Sequence, residues 1–139
     1  MLPKTSEYAL RAVVWLGSSE ASVPAEPLSK STKAPRRYLH TVLQQLVQAE
    51  LVVSQPGPGG GYRLAKDPAE ITILDVVTAV ADLQRIRSCP LGLSSHTRLC
   101  PLHKKLDDAY AATEKAFREV TIAQLLRSTS KIKPLLETP

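Results

Sequence analysis

Four side chains that can bind metals or undergo redox reactions lie within one short stretch of this 139-residue chain: Cys89, His96, Cys100 and His103. Thiolates and imidazoles are ligands that zinc prefers, although their spacing here matches no common zinc-finger pattern. The two cysteines could instead form a reversible disulfide, because thiols in a reducing compartment are more often metal-bound or redox-active than permanently bridged. A third interpretation is a loop without a sensing role. The residue types alone leave all three open.

The stretch that holds these residues is predicted to be a loop between two helices. Thr72 and Asp75 fit a capping box that opens a helix ending near Ala81, and residues 88–101 form the loop. Beyond it, apolar and small residues recur in steps of four and three, which is the pattern of a helix that packs on another helix: Leu102, Leu106, Ala109, Thr113, Ala116 and Val120. Charged residues between them, Asp107 included, are expected to face solvent. The pattern therefore predicts a homodimer.

A basic amphipathic helix is predicted near the middle of the chain. Pro35 fits its first turn, and apolar residues at helical spacing form one stripe that must face inward: Leu39, Val42, Leu43, Leu46 and Val47. The opposite face carries side-chain types that contact phosphates and base edges: Arg36, Arg37, His40, Thr41, Gln44 and Gln48. Residues 30–37 contain four cations and no acid. An ordinary solvated surface is the alternative interpretation of this face.

Residues 51–54 and 62–65 are short β-prone runs that flank a turn rich in glycine and proline, which is the pattern of a two-stranded wing. Helices predicted over residues 5–18 and 26–31 precede the basic helix. This order predicts a mainly α fold with a small two-stranded β wing, a winged helix-turn-helix, plus a long C-terminal dimerisation helix. The predicted segments are a DNA-binding domain (1–81), a cysteine-containing sensor loop (82–101), the dimerisation helix (102–127) and a flexible tail (128–139).

Charge and composition narrow the class of protein. The formal net charge of +5 and the pI near 9.4 favour a polyanionic partner. No apolar run approaches the roughly 20 residues of a membrane span, and the N-terminus lacks a secretory-signal pattern, so we expect a cytoplasmic protein with no membrane partner. The glycine run at 57–61 is neither a P-loop nor a dinucleotide fingerprint, and nothing in the sequence indicates the orienting group of a Cys–His nucleophile. We predict a binding protein and not an enzyme.

The predicted partner is a double-stranded DNA operator with two-fold symmetry, bound by a homodimer. The side chains expected in the major groove belong to the basic helix: Arg36, Arg37, Tyr38, His40, Thr41 and Gln44. Those expected to hold phosphates precede it: Ser31, Thr32 and Lys33. In the wing, glycines that let the backbone approach phosphate and one cation are expected along the backbone or minor groove: Gly57, Gly59, Gly60 and Arg63. The competing prediction is an accessory protein that binds another protein or RNA.

With these features placed, the chain resembles the Rrf2 family of bacterial transcriptional regulators over residues 5–126. The resemblance rests on Tyr8-Ala-Leu-Arg11, Tyr38-Leu39 followed by Leu46, Gly57-Pro-Gly-Gly-Gly-Tyr-Arg-Leu-Ala65, Ile71-Thr-Ile-Leu-Asp-Val-Val77 and Cys100-Pro-Leu-His103. It implies a dimeric winged-helix DNA-binding protein, often a sensor of iron-sulfur status, nitric oxide or redox state. In such a protein, a change in the cysteine loop would shift the long helix and with it the spacing of the two reading helices.

The resemblance also implies a candidate cofactor. Several members hold an iron-sulfur cluster through three cysteines in this loop, and some add a carboxylate from the first helix of the partner subunit. This chain lacks the middle cysteine, and Pro56 replaces the arginine common before the first wing glycine. Histidine can replace cysteine on one iron, so a 2Fe-2S site would use Cys89, Cys100, His103 or His96, and Glu7 of the partner. A thiol/disulfide switch, zinc, or no ligand are the alternatives.

Overall fold

A computed structural model describes residues 2–135 of the chain. Its elements, in chain order, are α1 (Lys4–Gly17), α2 (Ala25–Thr32), α3 (Arg36–Gln48), β1 (Val52–Gln55), β2 (Gly61–Leu64), a 3-10 turn (Pro68–Glu70), α4 (Ile73–Val80), α5 (Pro101–Arg118) and α6 (Ile122–Leu126). Three helices followed by a two-stranded antiparallel hairpin are the elements of a winged helix-turn-helix. The predicted fold class is confirmed.

The core lies where α1 packs between α3 and α4. One face of α1 contributes small and branched residues that let the neighbouring helices approach closely, and α3 contributes the stripe predicted from its spacing. The fully buried side chains of these two helices are Ala9, Ala12, Val13, Leu39, Val42, Leu43 and Leu46. Leu28 of α2, Ile71 and Val76 complete the cluster. Because the apolar stripe of α3 is sealed against α1, its polar face is left pointing outward.

The wing is attached to the helical core through Val23. In the hairpin, Val52 pairs with Leu64 and Gln55 with Gly61. Val23, in the segment between α1 and α2, exchanges two backbone hydrogen bonds with Tyr62, both 2.8 Å long. β2 therefore has a second backbone partner close to the turn of the hairpin, and only the glycine-rich tip beyond it projects freely.

The C-terminal part differs from the prediction of one helix over residues 102–127. α5 ends at Arg118, and a second capping box, formed by Thr121 and Gln124, starts α6. The interruption arises because the Val120 carbonyl accepts a hydrogen bond from the Ile73 backbone instead of continuing a helical ladder. Ile122 of α6 is fully buried in the core of the winged domain. Residues 122–126 thus belong to that domain and not to a free dimerisation helix.

The other helix boundaries follow the sequence expectations closely. The capping box of Thr72 and Asp75 is present at the start of α4. Within the predicted tail (128–139), Leu135 packs at the edge of the core, so this part of the chain is not wholly detached; residues 136–139 lie outside the described part. Among residues 2–135, no helix has the length and apolar character to cross a membrane.

Candidate nucleic-acid interface and thiol loop

The polar face of α3 is exposed along its length, as its spacing predicted. The exposed side chains on the first three turns include those predicted to enter a groove: Arg36, Arg37, His40, Thr41 and Gln44. Lys33 adopts the left-handed conformation that ends α2, with φ of 53°, and it is exposed in the tight turn before α3. The turn and α3 together carry the exposed cations and polar side chains that we call the reading face (Lys33, Arg36, Arg37, His40, Thr41 and Gln44).

Three residues predicted to contact DNA, Thr32, Ser31 and Tyr38, are less accessible to DNA than the prediction requires. Thr32 is only 1% exposed, and its hydroxyl donates to the Leu28 carbonyl at 2.7 Å. Its side chain cannot reach DNA, which corrects the sequence prediction; Thr32 lies four positions after the buried Leu28, and this helical spacing was the signal that it faces inward. Ser31 is half-buried. Tyr38 is 48% exposed, but its ring packs against α1, as described below.

One acid modifies the charge of the reading face. Glu26, in the first turn of α2, lies 3.6 Å from Lys30 Nζ and 3.8 Å from Arg36 Nη1. Both pairs are exposed and each contributes little to stability. DNA binding would require Arg36 to exchange Glu26 for a phosphate or base. Within residues 2–135, Arg37 forms no ion pair, so its charge is available to a ligand.

Side chains of α1 contact both ends of the turn between α2 and α3. The rings of Tyr8 and Tyr38 stack with centroids 6.2 Å apart and planes at 29°. Arg11 lies over the Tyr8 ring at 5.6 Å, and its Nη1 donates to the Thr32 carbonyl at 3.3 Å. Glu7 lies 3.8 Å from Arg11 Nε. This separation is too long for a hydrogen bond, and within residues 2–135 the buried Oε2 atom of Glu7 has no hydrogen-bond partner.

The wing tip is exposed and rich in glycine. Gly57 and Gly59 have φ of 87° and 75°, and a side chain added at either would meet no neighbour within 4 Å. Gly60 lies close to the Gln55 carbonyl, and a Cβ there would approach it to 2.2 Å. Arg63 is exposed on β2. The Gly60 N–H donates to the Gly57 carbonyl within the turn, whereas Gly57 and Gly59 are exposed at the tip, with Arg63 as the nearby cation.

The thiol loop (residues 82–101) brings together one of the predicted donor pairs. Cys100 is the N-cap of α5, and its Sγ lies 3.4 Å from His103 Nδ1 one turn later. Backbone N–H groups of the loop, that of Leu93 first, hold the pKa of the Cys89 thiol below its usual value. Both cysteines are half-buried and unbridged. Cys89 therefore forms the thiolate, the reactive form of cysteine, more readily than a cysteine with an ordinary pKa.

The donors of this chain do not assemble a 2Fe-2S site by themselves. Among the described residues, no three His, Cys, Asp or Glu side chains converge where they could hold a metal ion. Among the predicted donors within residues 2–135, Cys100 and His103 are adjacent, whereas the buried Oε2 atom of Glu7 has no hydrogen-bond partner. The His96 Nδ1 atom is buried, and it has no hydrogen-bond partner among residues 2–135. A cluster would need the loop to rearrange and a donor from a second chain.

An ion cluster that sequence reasoning missed attaches this loop to α5. Arg85 donates from Nε and Nη2 to the two carboxylate oxygens of Asp107, at 2.8 and 3.0 Å, and from Nη1 to Glu114 at 3.3 Å. The Ile86 backbone also donates to Asp107 at 2.8 Å. These donors hold the pKa of Asp107 far below its usual value. Asp107, expected in solvent, is only 9% exposed. No sequence signal marks a pair 22 residues apart.

The outer face of α5 is not covered by its own chain. Leu102 and Leu106 are 62% and 41% exposed. Farther along the helix, Ala109 and Thr113 line a cavity of about 540 Å³, bounded by the end of α4 and the N-terminal residues of the chain. The side of α5 that was predicted to pack on another helix is therefore an open surface, and a recess lies beside it.

Comparison with known proteins relates this arrangement to one family. A family model named Rrf2 and described as an iron-dependent transcriptional regulator matches residues 2–128. The HTH-type transcriptional regulator IscR of Serratia proteamaculans is 31% identical over 131 residues, which cover 91% of this chain and 79% of that protein.

Two solved structures show the same fold. IscR of T. potens superposes with a TM-score of 0.78 at 19% identity and covers 94% of this chain and 89% of its own. CymR, described as the global cysteine regulator of B. subtilis, gives a TM-score of 0.76 at 18% identity, with coverages of 90% and 95%. At such identities the likeness is one of fold.

Proposed function

The chain belongs to the Rrf2 family of transcriptional regulators, and we propose that it acts as a homodimer that binds a two-fold operator in double-stranded DNA. The proteins it matches are transcriptional regulators and not enzymes. The observation that carries the proposal is the exposed reading face beside a glycine-tipped wing. In winged helix-turn-helix proteins, such a helix enters the major groove.

The contacts divide into those that read bases and those that hold the backbone. Arg36, Arg37, His40, Thr41 and Gln44 are long or polar side chains on the outer face of α3, suited to base edges and flanking phosphates. Lys33, with Ser31 beside it, lies at the turn where a phosphate would approach. The wing would follow the adjacent backbone through the N–H groups near Gly57, Gly59 and Gly60, and through Arg63.

The open face of α5 supports the homodimer. Exposed leucines at Leu102 and Leu106 and small side chains at Ala109 and Thr113 lie along one side of the helix. Exposed leucines along one side of a helix are the kind of surface that a second protein covers. A second copy packed here would present two reading faces in a symmetric arrangement, which matches a two-fold operator.

Selection of duplexes from a random library by the purified protein tests this proposal. We expect enrichment of an inverted repeat whose half-sites lie about one helical turn apart, and sedimentation as a dimer. Binding should weaken steeply with salt because lysine and arginine displace counterions. Enrichment of no sequence, or tighter binding to RNA than to any duplex, would contradict an operator-binding function.

We propose further that residues 82–101 sense redox state through Cys89 and Cys100. The support is the lowered pKa of Cys89, the position of Cys100 at a helix N-terminus beside His103, and the ion cluster of Arg85 that ties the loop to α5. Oxidation by peroxide would join the two sulfurs, with both thiol protons and the peroxide oxygens leaving as two waters. A 2Fe-2S cluster, completed by a second chain, is the alternative.

Anaerobic purification followed by iron, sulfide and zinc analysis and a visible spectrum separates these alternatives. We expect an iron-free, colourless protein whose affinity for the selected duplex changes at least about fivefold between dithiothreitol and peroxide treatment. Cys89→Ser and Cys100→Ser should abolish that change, whereas Ser94→Ala in the same loop should keep it. Visible bands with about two irons per chain would establish the cluster instead. Equal affinities in every state would exclude sensing by this loop.

A further inference from the structure

The motif Tyr8-Ala-Leu-Arg11 in α1 has no part in the contacts proposed so far, yet its side chains face the helix-turn-helix. Arg11, Tyr8, Tyr38 and Arg37 form one continuous stack. Arg11 lies 5.6 Å above the Tyr8 ring, the two rings are 6.2 Å apart, and Arg37 lies 5.5 Å from the Tyr38 ring. Cation–π and stacked aromatic contacts of this geometry are attractive. The stack begins in the core helix and ends on the reading face.

Arg11 also fixes the end of α2. Its Nη1 donates to the Thr32 carbonyl, which belongs to the last residue of that helix. Carbonyls in the last turn lack helical partners, and a cation there interacts favourably with the helix dipole. Arg11 thus holds the end of α2, while Tyr8 holds the start of α3 through Tyr38. Both sides of the turn are attached to α1.

This arrangement changes the role expected for Tyr38. Its ring is directed to Tyr8 on one side and Arg37 on the other, so it is a platform and not a free base-reading side chain. Arg37 makes no ion pair within the described chain, and stacking on the ring limits the directions its guanidinium can take. A guanidinium that is already oriented loses less conformational entropy when it forms bidentate hydrogen bonds to guanine or phosphate.

We propose that Tyr8 and Arg11 are positioning residues for DNA recognition, which act through the Tyr38 ring to orient Arg37 toward a base edge. The inference rests on the proposed DNA-binding function. It predicts a particular defect: loss of the stack weakens binding to the operator more than binding to unrelated DNA. A purely structural role would instead weaken both together.

The test compares Tyr8→Leu, which keeps apolar bulk, with Tyr8→Phe, which keeps the ring. Affinities are measured by fluorescence anisotropy for the duplex selected by the wild-type protein and for a scrambled duplex of the same composition. We expect Tyr8→Leu to lose about tenfold on the selected duplex and less than about twofold on the scrambled one. Tyr8→Phe should behave like the wild type. Arg11→Lys, which keeps the charge but not the planar group, should show the same selective loss as Tyr8→Leu.

A double-mutant cycle with Arg37→Ala identifies the residue through which the stack acts. In the Arg37→Ala background, Tyr8→Leu should cause no further loss on the selected duplex. Equal losses on both duplexes, or an undiminished effect of Tyr8→Leu without Arg37, would overturn the inference. If Tyr8→Leu does not fold, Arg11→Lys replaces it in both comparisons, that of the selected with the scrambled duplex and that with and without Arg37→Ala. Failure of the wild type to select any duplex would instead reject the underlying function.

Discussion

Replacing Arg36 and Arg37 together with alanine is expected to lower affinity for the selected operator duplex roughly a thousandfold. The proposed dimer would lose four guanidinium contacts, and each contact to a base or phosphate contributes on the order of 1 kcal/mol or more, where about 1.4 kcal/mol is tenfold. Arg36 must leave Glu26 on binding, so Arg37 should account for the larger share. Anisotropy titrations of the single and double variants measure the loss.

The same titrations over a range of potassium chloride concentrations separate phosphate contacts from base contacts. The slope of log affinity against log salt should fall by about one for each phosphate contact that is removed. The matched control is Arg127→Ala with Lys131→Ala, which removes equal charge from exposed positions after α6. If the control weakens binding as much as the Arg36 and Arg37 variant, net charge would explain the effect and the reading face would not.

Replacing Gly61 with alanine is expected to destabilise the fold by about 2–4 kcal/mol. Gly61 begins β2 with φ of 136°, a conformation that side chains disfavour, and a Cβ there would lie 2.4 Å from the Val23 carbonyl oxygen. That carbonyl accepts the Tyr62 hydrogen bond that joins the wing to the helical core. Relief of the clash would break this attachment. Urea unfolding followed by circular dichroism measures the change in the free energy of unfolding.

Gly59→Ala is the matched control for this substitution. Gly59 also has a positive φ, of 75°, but a Cβ at that position meets no atom within 4 Å. We expect it to cost only the backbone strain, about 1 kcal/mol. Equal costs at Gly59 and Gly61 would show that backbone strain, and not contact with Val23, sets the requirement for glycine in the wing.

Patterns local in sequence predicted most of the winged domain. The stripe of Leu39, Val42, Leu43 and Leu46 is buried because helical periodicity alone places these residues on one side of α3. The turn between β1 and β2 was predictable because glycine permits positive φ and proline fixes φ and removes a donor, whatever the rest of the chain does. Capping at Thr72 depends on a residue three positions later, so it too could be read from the sequence.

Features that depend on distant parts of the chain were not predictable. The helix predicted over residues 102–127 appeared continuous, whereas α5 ends at Arg118 and the Val120 carbonyl accepts a hydrogen bond from Ile73, the first residue of α4. Asp107 was expected to face solvent, because its partner Arg85 lies 22 positions away and no local pattern predicts their contact.

The sequence by itself therefore determined the helices, the wing and the polar face of α3, because each follows from the chemistry of residues a few positions apart. Only the tertiary structure decided how these elements are held relative to one another. The stack of Tyr8 on Tyr38, the attachment of Val23 to Tyr62 and the pairing of Arg85 with Asp107 each join residues at least 22 positions apart. Such contacts form only when packing of the core brings their backbones together, which local periodicity does not encode.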